Sequence, residues 1–179
     1  MPCKNSDLRV YGVNDDFFKE WSHDMAYILG FWFADGCIYK REFHISQHEK
    51  DHALINKMAS VMKSTYKISK SNSSNNLILW VTSEKIVSDI KKLGGKENKS
   101  LTCDFPEVPK KYLPDFTRGF FDGDGSISAR SYRKNRFEAS ITCGSEKFAK
   151  KLFKKLKEIA KGIPWRLEDE PGGFKETDR

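Results

Sequence analysis

The segment ILGFWFADG, residues 28–36, sets the fold of this chain, because its pattern recurs as TRGFFDGDG at residues 117–125. Asp35 and Asp124 are separated by 124 − 35 = 89 residues, and the glycines of the two copies keep the same separation. Each copy ends an apolar run with Asp-Gly. One structural unit has therefore been used twice.

Each copy is predicted to form the last turns of a helix that ends at a glycine, Gly36 or Gly125, in the left-handed conformation. Residues four apart lie on one face of a helix. On that face the first copy carries Ala26, Gly30 and Ala34, and the second carries Gly119 and Gly123. Small residues allow two backbones to approach closely. We therefore expect the two helices to pack side by side.

Such packing brings Asp35 and Asp124 together, beside the negative ends of two helix dipoles. The repulsion between these carboxylates has to be offset by positive charge. Carboxylate oxygens with room for waters and phosphate oxygens suit Mg²⁺ better than Zn²⁺. The repeat therefore predicts a Mg²⁺ site at the ends of the two helices.

The two segments resemble the LAGLIDADG motif of homing endonucleases in its two-motif, single-chain form. The stretches at 16–22 and 25–27 also resemble the lead-in of bacterial and phage members. Phe33 departs from the motif in the first copy, and Thr117 and Arg118 depart in the second. Neither departure falls on the metal-binding positions.

The resemblance implies an α+β fold of two pseudo-twofold αββαββα repeats, with the motif helices at the interface and two antiparallel sheets that bind DNA. It implies a monomeric, site-specific, Mg²⁺-dependent double-strand DNA endonuclease with a long, nearly asymmetric target. Asp35 and Asp124 would be its catalytic metal ligands. Gln47 would belong to the active-site water network, and Lys99 would stabilise charge; a strand-end polar residue and a linker lysine are the alternatives for these two.

Composition agrees with a nucleic-acid partner. The chain of 179 residues has a net charge of +7 and a pI near 9.1, which favours polyanions. Its four cysteines, Cys3, Cys37, Cys103 and Cys143, form no C-x-x-C pair. We expect no disulfide framework and no zinc ribbon. No apolar run is long enough for a membrane span, and no secretion signal is recognised, so an intracellular, cytoplasmic protein without membrane contact is expected.

Apolar periodicity and turn residues divide the chain into four parts. These are a lead-in at 1–23, a first repeat at 24–95, a linker at 96–114 laid across the surface, and a second repeat at 115–179. Aligning residues 43–46 of the first repeat with residues 139–142 of the second needs an offset of 139 − 43 = 96 residues. The first repeat ends at Gly94, and 94 + 96 = 190 lies beyond Arg179. The last strand and closing helix of the second repeat are therefore expected to be missing or shortened.

One face of each sheet is free to meet DNA, because strand residues alternate between faces. The basic residues predicted to contact DNA come from both repeats: Lys40, Arg41, Lys67, Lys70, Arg130, Arg133, Lys134 and Arg136. A two-stranded ribbon of this composition fits the major groove. The alternative for each of these side chains is a solvated charge.

Three other functions are weighed against the nuclease. His48-Glu49-Lys50-Asp51-His52 fits the H-E-x-x-H pattern of zinc peptidases, and the alternative is a helix N-terminus with acidic first-turn residues. Asp122-Gly123-Asp124-Gly125 is similar to the start of a calcium loop but lacks its later ligands. A DNA- or RNA-binding protein of the same fold that does not cut, such as a maturase or a degenerate regulator, is the remaining hypothesis.

Overall fold

The computed structural model describes residues 10–129, 137–162, 166–168 and 175–176. Within these residues the chain is a mixed α+β protein, which confirms the predicted class. The helices are α1 (His23–Asp35), α2 (His52–Val61), α3 (Glu84–Lys92), α4 (Leu113–Asp124) and α5 (Glu146–Ile159). The strands are β1 (Gly36–Tyr39), β2 (Glu42–His48), β3 (Ile68–Lys70), β4 (Asn76–Thr82), β5 (Gly125–Ala129), β6 (Phe137–Ile141), β7 (Leu167–Glu168) and β8 (Lys175–Glu176). No helix in this part of the chain has the length and apolarity needed to cross a bilayer.

The strands form three antiparallel sheets in the described residues. The largest has the order β1-β2-β4-β3, and the others are the hairpins β5-β6 and β7-β8. The first seven elements follow the order αββαββα, and the next six follow αββαββ. The last strand of the second run, β8, has two residues where β4 has seven. The division of the chain into four parts remains a prediction.

Local sequence signals account for the helix ends. The Ser22 hydroxyl caps α1 by accepting a hydrogen bond from the Met25 N–H at 3.1 Å, which satisfies one free donor of the first turn. Helix α3 ends at Lys92, and Gly94, two residues later, has a left-handed φ of 92°. The Gly95 N–H then donates to the Ile90 carbonyl at 2.9 Å, as in a Schellman motif.

The left-handed conformation predicted for Gly36 and Gly125 is wrong. Both are extended, with φ of −105° and −90°. A Cβ at Gly36 would overlap the Trp32 ring, and a Cβ at Gly125 would overlap the Phe121 ring. Glycine is required at these helix ends because an aromatic side chain four residues earlier occupies the space of a Cβ.

The predicted packing of α1 against α4 is confirmed, and backbone makes the closest contacts. A Cβ on Gly30 would overlap the Phe116 carbonyl oxygen, and a Cβ on Gly119 would overlap the Tyr27 carbonyl oxygen. The two contacts are reciprocal, because 30 + 89 = 119 and 27 + 89 = 116. Each helix therefore presses one glycine onto the backbone of the other.

The connection between the two runs of elements is more buried than the predicted surface linker. Cys103, Phe105 and Val108 are buried. The Phe105 ring lies 5.3 Å from the Phe116 ring and 5.2 Å from the Phe148 ring, between centroids. The prolines of this segment exclude a regular helix but leave its apolar side chains free to enter the core. Through Phe105 the segment contacts both α4 and α5 and so holds them together.

Candidate metal and nucleic-acid site

Asp35 and Asp124 are the last residues of α1 and α4. Because those helices touch along their glycines, the two carboxylates end at the same side of the molecule. Asp35 Oδ2 lies 3.3 Å from the position of a Cβ on Gly123, the residue before Asp124. The structure thus brings the two predicted metal ligands together.

The pKa of Asp124 reports this proximity. Partial burial raises the pKa of Asp35, and Lys99 opposes the rise. Burial also raises the pKa of Asp124, the Asp35 charge raises it further, and Lys99 again opposes. The ionised pair is therefore less favourable than two separate surface aspartates, and a cation beside it would relieve the repulsion.

Lys99 supplies one such positive charge from inside the protein. It begins a short 3₁₀ helix, Lys99–Leu101, and is only 5% exposed. Its ammonium donates hydrogen bonds to the carbonyl oxygens of Phe33 at 2.8 Å and Ala34 at 3.1 Å. These carbonyls belong to the last turn of α1, where intrahelical partners run out. Lys99 is therefore buried against the end of α1 rather than extended into solvent, and its role in stabilising charge remains a prediction.

Burial lowers the pKa of Lys99, and the neighbouring Cys103, Asp124, Cys37 and Asp35 groups oppose that shift. Attraction between the carboxylates and the ammonium thus offsets part of the desolvation cost of each group. The thiols of Cys37 and Cys103 are free. Lys99 ties the end of α1 to the aspartate pair both by hydrogen bonds and by charge.

Lys99→Met is expected to lower the free energy of unfolding at pH 7 by about 1–3 kcal/mol, because it leaves two helix-end carbonyls without their donor. Urea denaturation followed by circular dichroism measures the change. Lys96→Met is the matched control, since Lys96 is exposed and makes only surface contacts, with Asp104 at 3.6 Å and with the Thr102 carbonyl at 3.4 Å. Equal effects of the two substitutions would contradict the anchoring role.

The donor set fits Mg²⁺. Among the described residues, no three His, Cys, Asp or Glu side chains gather into a group that could hold a metal. Mg²⁺ does not need one, because it is usually held by one or two carboxylates together with waters and substrate phosphates. Asp35 and Asp124 would hold the ion from one side and leave the other side open.

Gln47 does not join this cluster through any hydrogen bond to another described side chain. It lies on β2, opposite Leu77 of β4. Its side-chain oxygen accepts a hydrogen bond from the His48 N–H at 3.0 Å. Its role in a water network remains a prediction.

Four of the basic residues predicted to contact DNA lie around the four-stranded sheet: Lys40, Arg41, Lys67 and Lys70. Lys40 lies in the turn between β1 and β2, and Lys67 precedes β3; both are exposed. Arg41 pairs with Glu84 at 3.5 Å, and Lys70, at the end of β3, pairs with Glu49 at 2.5 Å. Arg130, Arg133, Lys134 and Arg136 lie outside the described residues.

The zinc-peptidase geometry is not formed. His48 has extended backbone, with ψ of 141°, and precedes a 3₁₀ turn, so His48 and His52 do not share one helix. His48 Nδ1 accepts a hydrogen bond from the Lys50 N–H at 3.2 Å. The segment is the helix N-terminus that was the alternative. The calcium-loop geometry also fails, because Asp122 and Asp124 belong to α4 rather than to a loop.

One contact between α1 and α4 is absent from the sequence-based predictions. The Tyr27 hydroxyl donates to Asp122 Oδ2 at 2.6 Å, and burial followed by that carboxylate raises the pKa of Tyr27. The repeat offset of 89 relates this pair to Phe116 and Phe33, whose rings lie 5.8 Å apart between centroids. The offset could have indicated the contact, because it relates the Tyr27–Asp122 pair to the Phe116–Phe33 pair.

Comparisons with known proteins give distant similarities. No family model matches the chain. An uncharacterised protein of Methanocaldococcus jannaschii is 27% identical over 164 residues, which are 86% of this chain and 56% of that protein. The chain thus spans about half the length of the curated relative it matches.

Among solved structures, the chain is similar to the I-LtrWI LAGLIDADG homing endonuclease, crystallised bound to its target DNA. The TM-score is 0.38 and the identity is 16%, with 70% of this chain and 65% of that chain covered. At this level of similarity neither protein assigns the chain to a family, and the arguments about function rest on the geometry of the site.

Proposed function

We propose that this protein is a Mg²⁺-dependent endonuclease that cleaves double-stranded DNA at a specific site, with the pseudo-twofold architecture of LAGLIDADG homing endonucleases. The observation that carries the proposal is the pair Asp35 and Asp124, set side by side by two glycine-packed helices, with a buried lysine behind them. Paired carboxylates at an open edge suit metal-assisted hydrolysis of a phosphodiester.

The pseudo-twofold relation is supported by contacts that map onto each other at one offset. Gly30 on the Phe116 carbonyl corresponds to Gly119 on the Tyr27 carbonyl. A twofold relation between two carboxylates suits a duplex, because its strands are related by local twofold axes. One aspartate would then serve each scissile phosphate.

The residues of the site have separate roles in this proposal. Asp35 and Asp124 would hold the cation, and Lys99 limits their repulsion and fixes the end of α1. A bound Mg²⁺ would lower the pKa of its water and stabilise the leaving oxygen. Lys40 and Lys67 would contact phosphates, whose neutralisation supplies much of the affinity of proteins for DNA.

The test is cleavage of a randomised duplex library with Mg²⁺, with parallel reactions in EDTA. We expect double-strand cuts at one long sequence family, which sequencing of the cut ends identifies, and no cuts in EDTA. Sequence-selective binding without cutting would reject the nuclease and favour the regulator of the same fold. Selective binding of folded RNA instead would favour the maturase.

A further inference from the structure

Strand β4 is apolar on both of its faces. Leu79 and Val81 point into the core and are buried, whereas Trp80 points to the opposite face of the sheet and is 42% exposed. A strand that is apolar on both faces is typical of sheets covered on both sides. Helices cover only one side of this sheet in the described residues, so a partner on the outer face is indicated.

Trp80 is held in place by its cross-strand neighbour His44. The two residues are directly opposite in the register of β2 and β4, and their ring centroids are 3.7 Å apart. The His44 side chain is only 13% exposed, with Nδ1 at 3.4 Å from Cys37 Sγ and Nε2 at 3.6 Å from Glu42 Oε2. Because the indole is held against the His44 ring, its side chain loses little conformational entropy when it binds a partner.

His44 does not turn the stack into a cationic site. Burial lowers the pKa of His44, although Glu42 opposes the shift. The imidazole is therefore neutral near pH 7. The centre of the outer face offers an apolar aromatic surface, and the positive charges stand around it.

The position of the stack favours DNA as its partner. Cys37, His44 and Trp80 form one row across β1, β2 and β4, and the row begins two residues after Asp35. Lys40 and Lys67, at the ends of this sheet, form no ion pair with any described residue. Cations at the rim with an aromatic centre complement the phosphates and the apolar base edges of a major groove.

We propose that Trp80, supported by His44, contacts a thymine C5-methyl group in the half of the target bound by the four-stranded sheet, and so sets base preference there. The inference rests on the proposed DNA target. In the major groove the thymine methyl is the apolar group that distinguishes one base pair from the others, and an indole has apolar surface to cover it. Trp80 is a specificity residue that takes no part in the chemistry.

The experiment is a selection of binding sites from randomised duplex DNA without divalent cations, so that no strand is cut. Each conserved thymine of the selected site is then replaced by deoxyuridine, and the Kd is measured for the wild type, Trp80→Ala and Ile159→Ala. Ile159 is the control because it is 37% exposed on α5, away from the sheet. The unfolding temperature of each variant verifies its fold.

For the wild type and Ile159→Ala, we expect deoxyuridine at one or two thymine positions of a single half-site to weaken binding about fourfold. This is the effect of losing one buried methyl group. Trp80→Ala should bind thymine and deoxyuridine equally there. Its affinity should keep the wild-type salt dependence, because no charge is removed, whereas Lys67→Ala should reduce the slope by about one unit.

Two outcomes overturn the inference in different ways. If the wild type selects a site but tolerates deoxyuridine everywhere, or if Trp80→Ala keeps the wild-type discrimination, Trp80 is not the methyl contact while the DNA target stands. If the wild type selects no sequence, the proposed function and this inference fail together.

Discussion

Gly30→Ala is expected to destabilise the protein by about 3 kcal/mol or more, the upper end of what overpacking of a core costs. The new methyl group would overlap the Phe116 carbonyl oxygen. A backbone atom cannot rotate away as a side chain does, so α1 and α4 must separate. Urea denaturation measured by circular dichroism gives the change, and Gly119→Ala should behave in the same way because its contact is reciprocal.

Gly12→Ala is the matched control for this prediction. Among the described residues, its Cβ would meet only Thr65 Oγ1, at 3.9 Å, an ordinary van der Waals contact. We expect a change within about 0.5 kcal/mol, as for most surface substitutions. A Gly30→Ala protein that unfolds at the same urea concentration as Gly12→Ala would show that the helices do not pack through their glycines.

Asp35→Asn and Asp124→Asn are each expected to lower double-strand cleavage by about 10³-fold, because either change removes a carboxylate from the proposed metal site, and several kcal/mol of transition-state stabilisation depend on the ion. Quantified cleavage of the selected site under Mg²⁺ measures the loss. Asp104→Asn is the control, since Asp104 is an exposed aspartate paired with Lys96 away from the helix ends. Full cleavage by Asp35→Asn or Asp124→Asn would contradict the assignment.

The same two substitutions should raise the unfolding temperature at pH 7. Burial raises the pKa of both carboxyls in the folded protein, so their contribution to stability is present below the ordinary carboxyl range and is lost as the pH rises through the folded pKa. At pH 7 both carboxyls are ionised, and each ionised carboxylate has a desolvation cost that the neutral asparagine side chain does not have. The gain should disappear near pH 3, which thermal denaturation at both pH values tests.

The helix pair could be predicted from the sequence because its signal is geometric. Gly30 and Gly119 fall on faces of small residues at a constant offset, and that pattern has one simple explanation in close packing. The conformation of Gly36 was mistaken for a different reason. A helix end can require glycine either because the backbone adopts a left-handed φ or because a Cβ would have no space. Only the position of the Trp32 ring distinguishes these two reasons.

The site was partly predictable. Asp35 and Asp124 followed from the repeat, whereas Lys99 was placed through the resemblance alone, since a lysine in a proline-containing connection carries no sign that its ammonium turns inward. Trp80 was not singled out by the sequence, because its stack on His44 is visible only in the register of β2 and β4. Pairing between distant strands is the information that periodicity along one chain does not contain.

The contact of Gly30 and Gly119 with opposing carbonyls makes the proposed catalytic site structurally independent of the proposed recognition surface. The two can therefore change at different rates. The approach of the two helices at these glycines is fixed by main chain against main chain. The outer face of the sheet, with Trp80 at its centre, makes no part of that contact. In the proposed function, successive substitutions there would change the preferred target over generations, or in a laboratory selection, while the packing of the helices that carry Asp35 and Asp124 stays as it is.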